Sequence, residues 1–113
     1  MTSVDDTYMK DFTTIKKSYL ETKDSILQLK KYKKFYIGVT KDPEERIKDH
    51  YNNKELKLKS MFVLCRCQNN TTAKKLEDKL LVRFHNKKNC LNKTQYGGGG
   101  VDEGINYIYV AFK

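Results

Sequence analysis

Arg46 and His50 lie four residues apart, so a helix that holds both presents them as neighbours. Arg is scarce in this chain, with 20 Lys among the 23 basic residues, and each Arg is more telling for that. A guanidinium grips two phosphate oxygens at once, which an ammonium cannot do. Glu77 stands among Ala73, Leu76, Leu80 and Phe84, which are spaced as the apolar stripe of a helix. A carboxylate beside such a stripe is costly unless it is paired or holds a metal ion. Cys65, Cys67 and Cys90 can be drawn with His85 as a zinc set, but C-x-C is not the spacing of a zinc knuckle. Their expected role is that of buried strand thiols acting as small hydrophobes.

The elements that must position these residues are legible in outline. Residues 34–40, KFYIGVT, read as a strand. Asp42, Pro43 and Glu45 then make a strong helix start, with a cap, a proline at the first helical position and a carboxylate three residues after the cap. That helix runs to about Asn52, with Ile47 and Tyr51 on one face and Arg46 and His50 on the adjoining one. Residues 60–67, SMFVLCRC, read as a central strand because both faces are largely apolar. Gln68-Asn69-Asn70 form a turn, Thr71 or Thr72 caps the next helix, and that helix spans 73–85. Residues 97–100 form a glycine loop, and 105–112, INYIYVAF, a closing strand. Upstream, Tyr8, Phe12, Ile15, Tyr19, Thr22, Ile26 and Leu29 predict an amphipathic helical extension over 1–31, with Asp24-Ser25 breaking it. This stripe packs on the main domain, 32–113, or on a second copy of the chain. The fold class is α/β (α+β): a small antiparallel or mixed three-stranded sheet flanked by helices, with an extra N-terminal helix.

The length of 113 residues suits one domain. The charge balance is 23 − 14 = +9, and the usual partner of so basic a small protein is a polyanion. A Lys excess also arises from codon bias, so the charge is compatible with nucleic acid without establishing it. No apolar run approaches the ~20 residues of a membrane span, and MTSVDDTYMK is not a signal peptide. With an odd number of cysteines, the expected location is intracellular and reducing, cytoplasm or nucleus, and not secreted.

The string Y-I-G-x-T-x-D-P-x-x-R-x-x-x-H, from Tyr36 to His50, resembles the second half-motif of the GIY-YIG nuclease family. The likeness extends through Glu77 to about Asn92 in the family's element order. It implies a GIY-YIG-like fold and a single-metal endonuclease acting on DNA, leaving a 5′ phosphate and a 3′ hydroxyl. Carried over by position, Tyr36 lies where the attacking water is activated, and nearby cations or the metal would have to lower its pKa. Arg46 holds the scissile phosphate, and His50 assists proton transfer or orients the phosphate. Glu77 is the one protein ligand to Mg2+ or Mn2+, a normal arrangement for magnesium. Gly38, Thr40 and Asn92 are the substrate-binding candidates, with Asn89 the rival to Asn92. Family members that cut specific sites usually carry a separate DNA-reading domain. A chain of this size implies a protein partner or structure-selective cutting instead.

One half of the family pattern is missing. The G-I-Y strand should lie about ten residues before Y-I-G, but that window reads KDSI. Its tyrosine could be replaced by Tyr19 through a longer loop. Alternatively, the closing strand fills the slot as a circular permutation, bringing Tyr109, or else Tyr107, beside Tyr36. Two other function classes stay open: a nucleic-acid-binding module that no longer cuts, and a small interaction protein dimerising through residues 8–29.

Overall fold

Three runs of β-branched and aromatic residues pair into the middle of one mixed sheet. The computed structural model describes residues 1–29, 34–92 and 103–113. In chain order these form β1 (Ser3–Asp5), β2 (Lys10–Asp11), α1 (Ile15–Leu29), β3 (Phe35–Thr40), α2 (Pro43–Asn52), β4 (Ser60–Cys67), α3 (Asn70–Phe84) and β5 (Asn106–Phe112). The sheet order is β1-β4-β5-β3, and β2 also pairs with β4. β5 lies antiparallel between β3 and β4, while β1 and β2 run parallel to β4. The predicted glycine loop at 97–100 lies outside the described residues.

Alternation along the strands divides the interior into two layers. Ile37, Val39, Ile108 and Val110 face α1 and α3, against Ile26, Leu76, Leu80 and Phe84. Met61, Val63, Tyr109 and Ala111 face the other way, against Ile47 of α2 and Leu58. A register shift between Val63 and Cys65 lets Leu64, Cys65 and Cys67 all join the first layer. Cys65 and Cys67 are buried there with sulfurs 4.0 Å apart, as small core residues.

Several expectations change. The N-terminal segment is not helical from Tyr8: two short strands come first, and the helix starts at Ile15. Tyr8 and Phe12 are four apart, which fits a strand's period of two as well as a helix's 3.6. Bonds such as Ser3 N–H to the Lys59 carbonyl (2.8 Å) and Phe12 N–H to the Arg66 carbonyl (2.9 Å) cover the outer edge of β4. The sheet therefore has five strands, three of them the expected centre. Asp24-Ser25 does not break α1, because burial of Ser18, Thr22 and Ile26 outweighs weak local propensity. The cap of α3 is Asn69, whose side chain accepts from Thr72 N–H at 2.9 Å. On α2 the buried face is Ile47 with His50, and Tyr51 is exposed. The stripe of α1 is spent inside the chain, with Tyr19, Leu27 and Leu29 packed on the same core as Ile26. Among the described residues no helix is long and apolar enough to cross a membrane.

Candidate active site

β5 lies directly beside β3, with Tyr109 opposite Gly38 and Ala111 opposite Tyr36. The Tyr109 ring crosses over Gly38, and a Cβ there would sit 2.5 Å from Tyr109 Cζ and closer still to the hydroxyl. Gly38 therefore makes room for a cross-strand tyrosine. The Tyr36 and Tyr109 rings stack at 6.5 Å between centroids. Tyr107 points to the same side two residues away, opposite Thr40 and so further along β3 than Tyr109. Tyr19 belongs to the α1 layer on the other side of the sheet, beneath the Lys79 ammonium.

The turn out of β3 aims α2 at these rings. The Thr40 hydroxyl accepts from Asp42 N–H (3.1 Å) and donates to the Asp42 carbonyl (3.2 Å). The Asp42 carboxylate then caps the helix on Glu45 N–H at 3.2 Å. One and two turns on, Arg46 and His50 face the sheet. The His50 ring meets the Tyr36 ring edge-on at 4.9 Å, and His50 Nε2 lies 2.7 Å from the Tyr109 hydroxyl. The Arg46 charge acts on that hydroxyl too, opposing the rise in its pKa. Which of the two groups donates in the His50–Tyr109 bond is set by the imidazole tautomer.

Glu77 comes from α3, across the sheet from α2. β3 is an edge strand of the sheet, so groups from both layers meet around it. Glu77 is 4% exposed, and its carboxylate lies 3.5 Å from the Lys74 ammonium. Burial raises its pKa, which Lys74 and Arg46 oppose. Burial likewise raises the Tyr36 pKa, Glu77 adds to the rise, and Arg46 offsets only part of it. Of the two means of lowering this phenol, cations or the metal, Arg46 alone does not outweigh desolvation. Tyr109 is also raised, by burial first and then by Tyr36. The His50 pKa is pulled down to about 4 by burial and then by Arg46. At neutral pH both phenols are protonated and the imidazole is neutral.

Asn92 lies on the free edge of β3. Its side-chain oxygen accepts from Ile37 N–H at 2.8 Å and its amide donates to the Ile37 carbonyl at 2.9 Å. Expected to hold substrate, it instead spends both amide atoms as a one-residue strand beside Tyr36. The Asn89 carbonyl accepts from Phe35 N–H at 3.0 Å. The cross-strand pairing of Gly38 with Tyr109 has no local signal in the sequence, since its partners lie 71 positions apart.

The donor chemistry suits a hard divalent cation. It offers one buried carboxylate with phenol oxygens nearby, leaving most positions to water and substrate. Among the described residues no three His, Cys, Asp or Glu side chains cluster.

A family model described as the GIY-YIG catalytic domain matches residues 25–95. No curated protein and no solved structure matches the chain. The match begins inside α1 and ends beyond Asn92, leaving β5 outside it. With more than half of its length matched, this chain belongs to the GIY-YIG family, whose members are endonucleases.

Proposed function

We propose that the chain is a divalent-metal-dependent DNA endonuclease in which β5 fills the slot of the missing G-I-Y strand. The observation that carries this reading is the seating of Tyr109 against Gly38, with its hydroxyl bonded to His50 and its ring stacked beside Tyr36. Arg46 holds the scissile phosphate through its planar fork. Tyr109 is a positioning residue: bonded to neutral His50 and stacked on Tyr36, it shapes the wall of the site beside Arg46. Tyr36, half-buried, meets the attacking water as a neutral phenol, orienting it by hydrogen bond. Its raised pKa argues against a standing phenolate. Glu77 would hold Mg2+ or Mn2+, which when bound stabilises charge at the phosphate and lowers the pKa of water. Asn92 keeps β3, and so Tyr36, in register.

The test is nicking of supercoiled DNA in Mg2+ or Mn2+, comparing the wild type with Glu77→Gln. The wild type cuts. Glu77→Gln does not, yet binds DNA as well or slightly more tightly, because a carboxylate repels phosphate until a cation arrives. Robust metal-dependent cutting by Glu77→Gln would remove Glu77 from the site. Salt-dependent binding by a wild type that never cuts would select the non-cutting module.

A further inference from the structure

The two ends of the sheet differ in charge: one gathers lysines, the other mixes carboxylates with cations. β3 and β4 begin, and β5 ends, at the same end of the molecule. The 53–59 connection crosses there from α2 to β4, held by Lys57 N–H to the Asn53 carbonyl and Lys59 N–H to the Phe112 carbonyl. The connection after α3 returns to the same end, where Asn89 and Leu91 bond Phe35. Together these segments expose Lys34, Lys54, Lys57, Lys59, Lys87 and Lys88. Among the described residues none of the six forms an ion pair, and Glu55 is the one carboxylate in the two connections. At the other end, Asp42, Glu45 and Asp49 line a cavity of about 170 Å³ together with Lys41 and Arg46, so carboxylates and cations are mixed there.

Lys57 adds a second observation. With φ 53° it is the one non-glycine residue in the left-handed region among those described. A Gly there would be unstrained, whereas a side chain on this backbone costs stability. That cost falls at an exposed lysine of the basic end.

We propose that this lysine end is a phosphate-backbone clamp for duplex DNA. The duplex lies across the N-terminal ends of β3 and β4, delivering a strand to Tyr36, the second residue of β3. This deepens the nuclease reading and rests on it for the identity of the polyanion.

The test is binding of a short fluorescent duplex DNA in EDTA, where no cutting occurs, over a series of KCl concentrations. Each lysine that contacts a phosphate contributes about 0.9 to the slope of log affinity against log salt. Lys57→Gly should melt no lower than the wild type and weaken binding about eightfold near 0.1 M salt. Lys57→Gly/Lys59→Gln/Lys88→Gln should flatten the slope by about three times the single-lysine value. Lys16→Gln/Lys17→Gln, at the start of α1 near the opposite end, should leave it unchanged. An unchanged slope in the triple variant overturns the clamp, as does an equal loss in the α1 control. Flotation with phosphatidylserine vesicles without DNA binding also overturns it and points to a membrane surface. Lysine-dependent binding by a wild type that never cuts in Mg2+ leaves the clamp standing and removes the nuclease reading. Cutting that persists alongside an unchanged slope does the reverse.

Discussion

Arg46 is the residue on which the phosphate chemistry turns. Its charge acts on the Tyr109 hydroxyl on one side and on the Glu77 carboxylate on the other. A lysine keeps the charge but not the fork. Arg46→Lys should slow cutting by about 100-fold or more with DNA binding little changed, read by single-turnover nicking. Near-wild-type rates would make Arg46 a general part of the basic surface. His50 gives a stability signature. Its folded pKa of about 4 lies below the ordinary 6.5. The unfolded chain therefore takes up a proton first as pH falls, and stability is lost between those two values. Above about pH 6.5 the contribution is fully present. Discounted for solvent near the ring, the loss is about 2 kcal/mol. Melting curves across this window should fall more steeply for the wild type than for His50→Gln. Glu77, shifted the opposite way, is common to both proteins and cancels in the comparison.

At the scale of elements, the site depends on the register of β3. One side is set by β5, where Tyr109 faces Gly38. The other is set by the Asn92 side chain, which supplies the donor and acceptor that a neighbouring strand would have supplied to Ile37. Asn92→Ala leaves the buried Ile37 backbone without either partner and should cost about 1–3 kcal/mol. Hydrogen exchange should show the Ile37 amide losing protection, with cutting reduced because Tyr36 is no longer held. An Ile37 amide as protected as in the wild type would show that the edge holds without Asn92.

For the whole molecule, the N-terminal segment is part of the fold. Ile26 is fully buried against the same cluster as Leu76 and Phe84, and β1 and β2 cover β4. Ile26→Ala should cost about 2–5 kcal/mol, measured by denaturant unfolding. Because the apolar face of α1 is already covered, the wild type should sediment as a monomer over a wide concentration range. A mass that rises with concentration, and falls back with substitutions along α1, would restore the dimer.

What the sequence determined by itself was whatever local chemistry encodes. The capped start of α2 followed from Asp42, Pro43 and Glu45, and β3 and β4 from their β-branched and aromatic runs. The family followed from the string between Tyr36 and His50. Burial of Glu77 followed from its place in the α3 stripe. Tertiary structure decided the rest, because those outcomes depend on groups far apart in the chain. Tyr8 and Phe12 suited both helix and strand, and the unpaired edge of β4 settled them as parts of a strand-forming segment. Asp24-Ser25 stayed helical because the face beneath was buried. The Tyr36 pKa rose because desolvation outweighed Arg46, a balance set by packing. The choice among Tyr19, Tyr107 and Tyr109 rested on which strand lay beside β3 and in what register. Only the folded sheet placed Tyr109 over the one residue, Gly38, that leaves room for it.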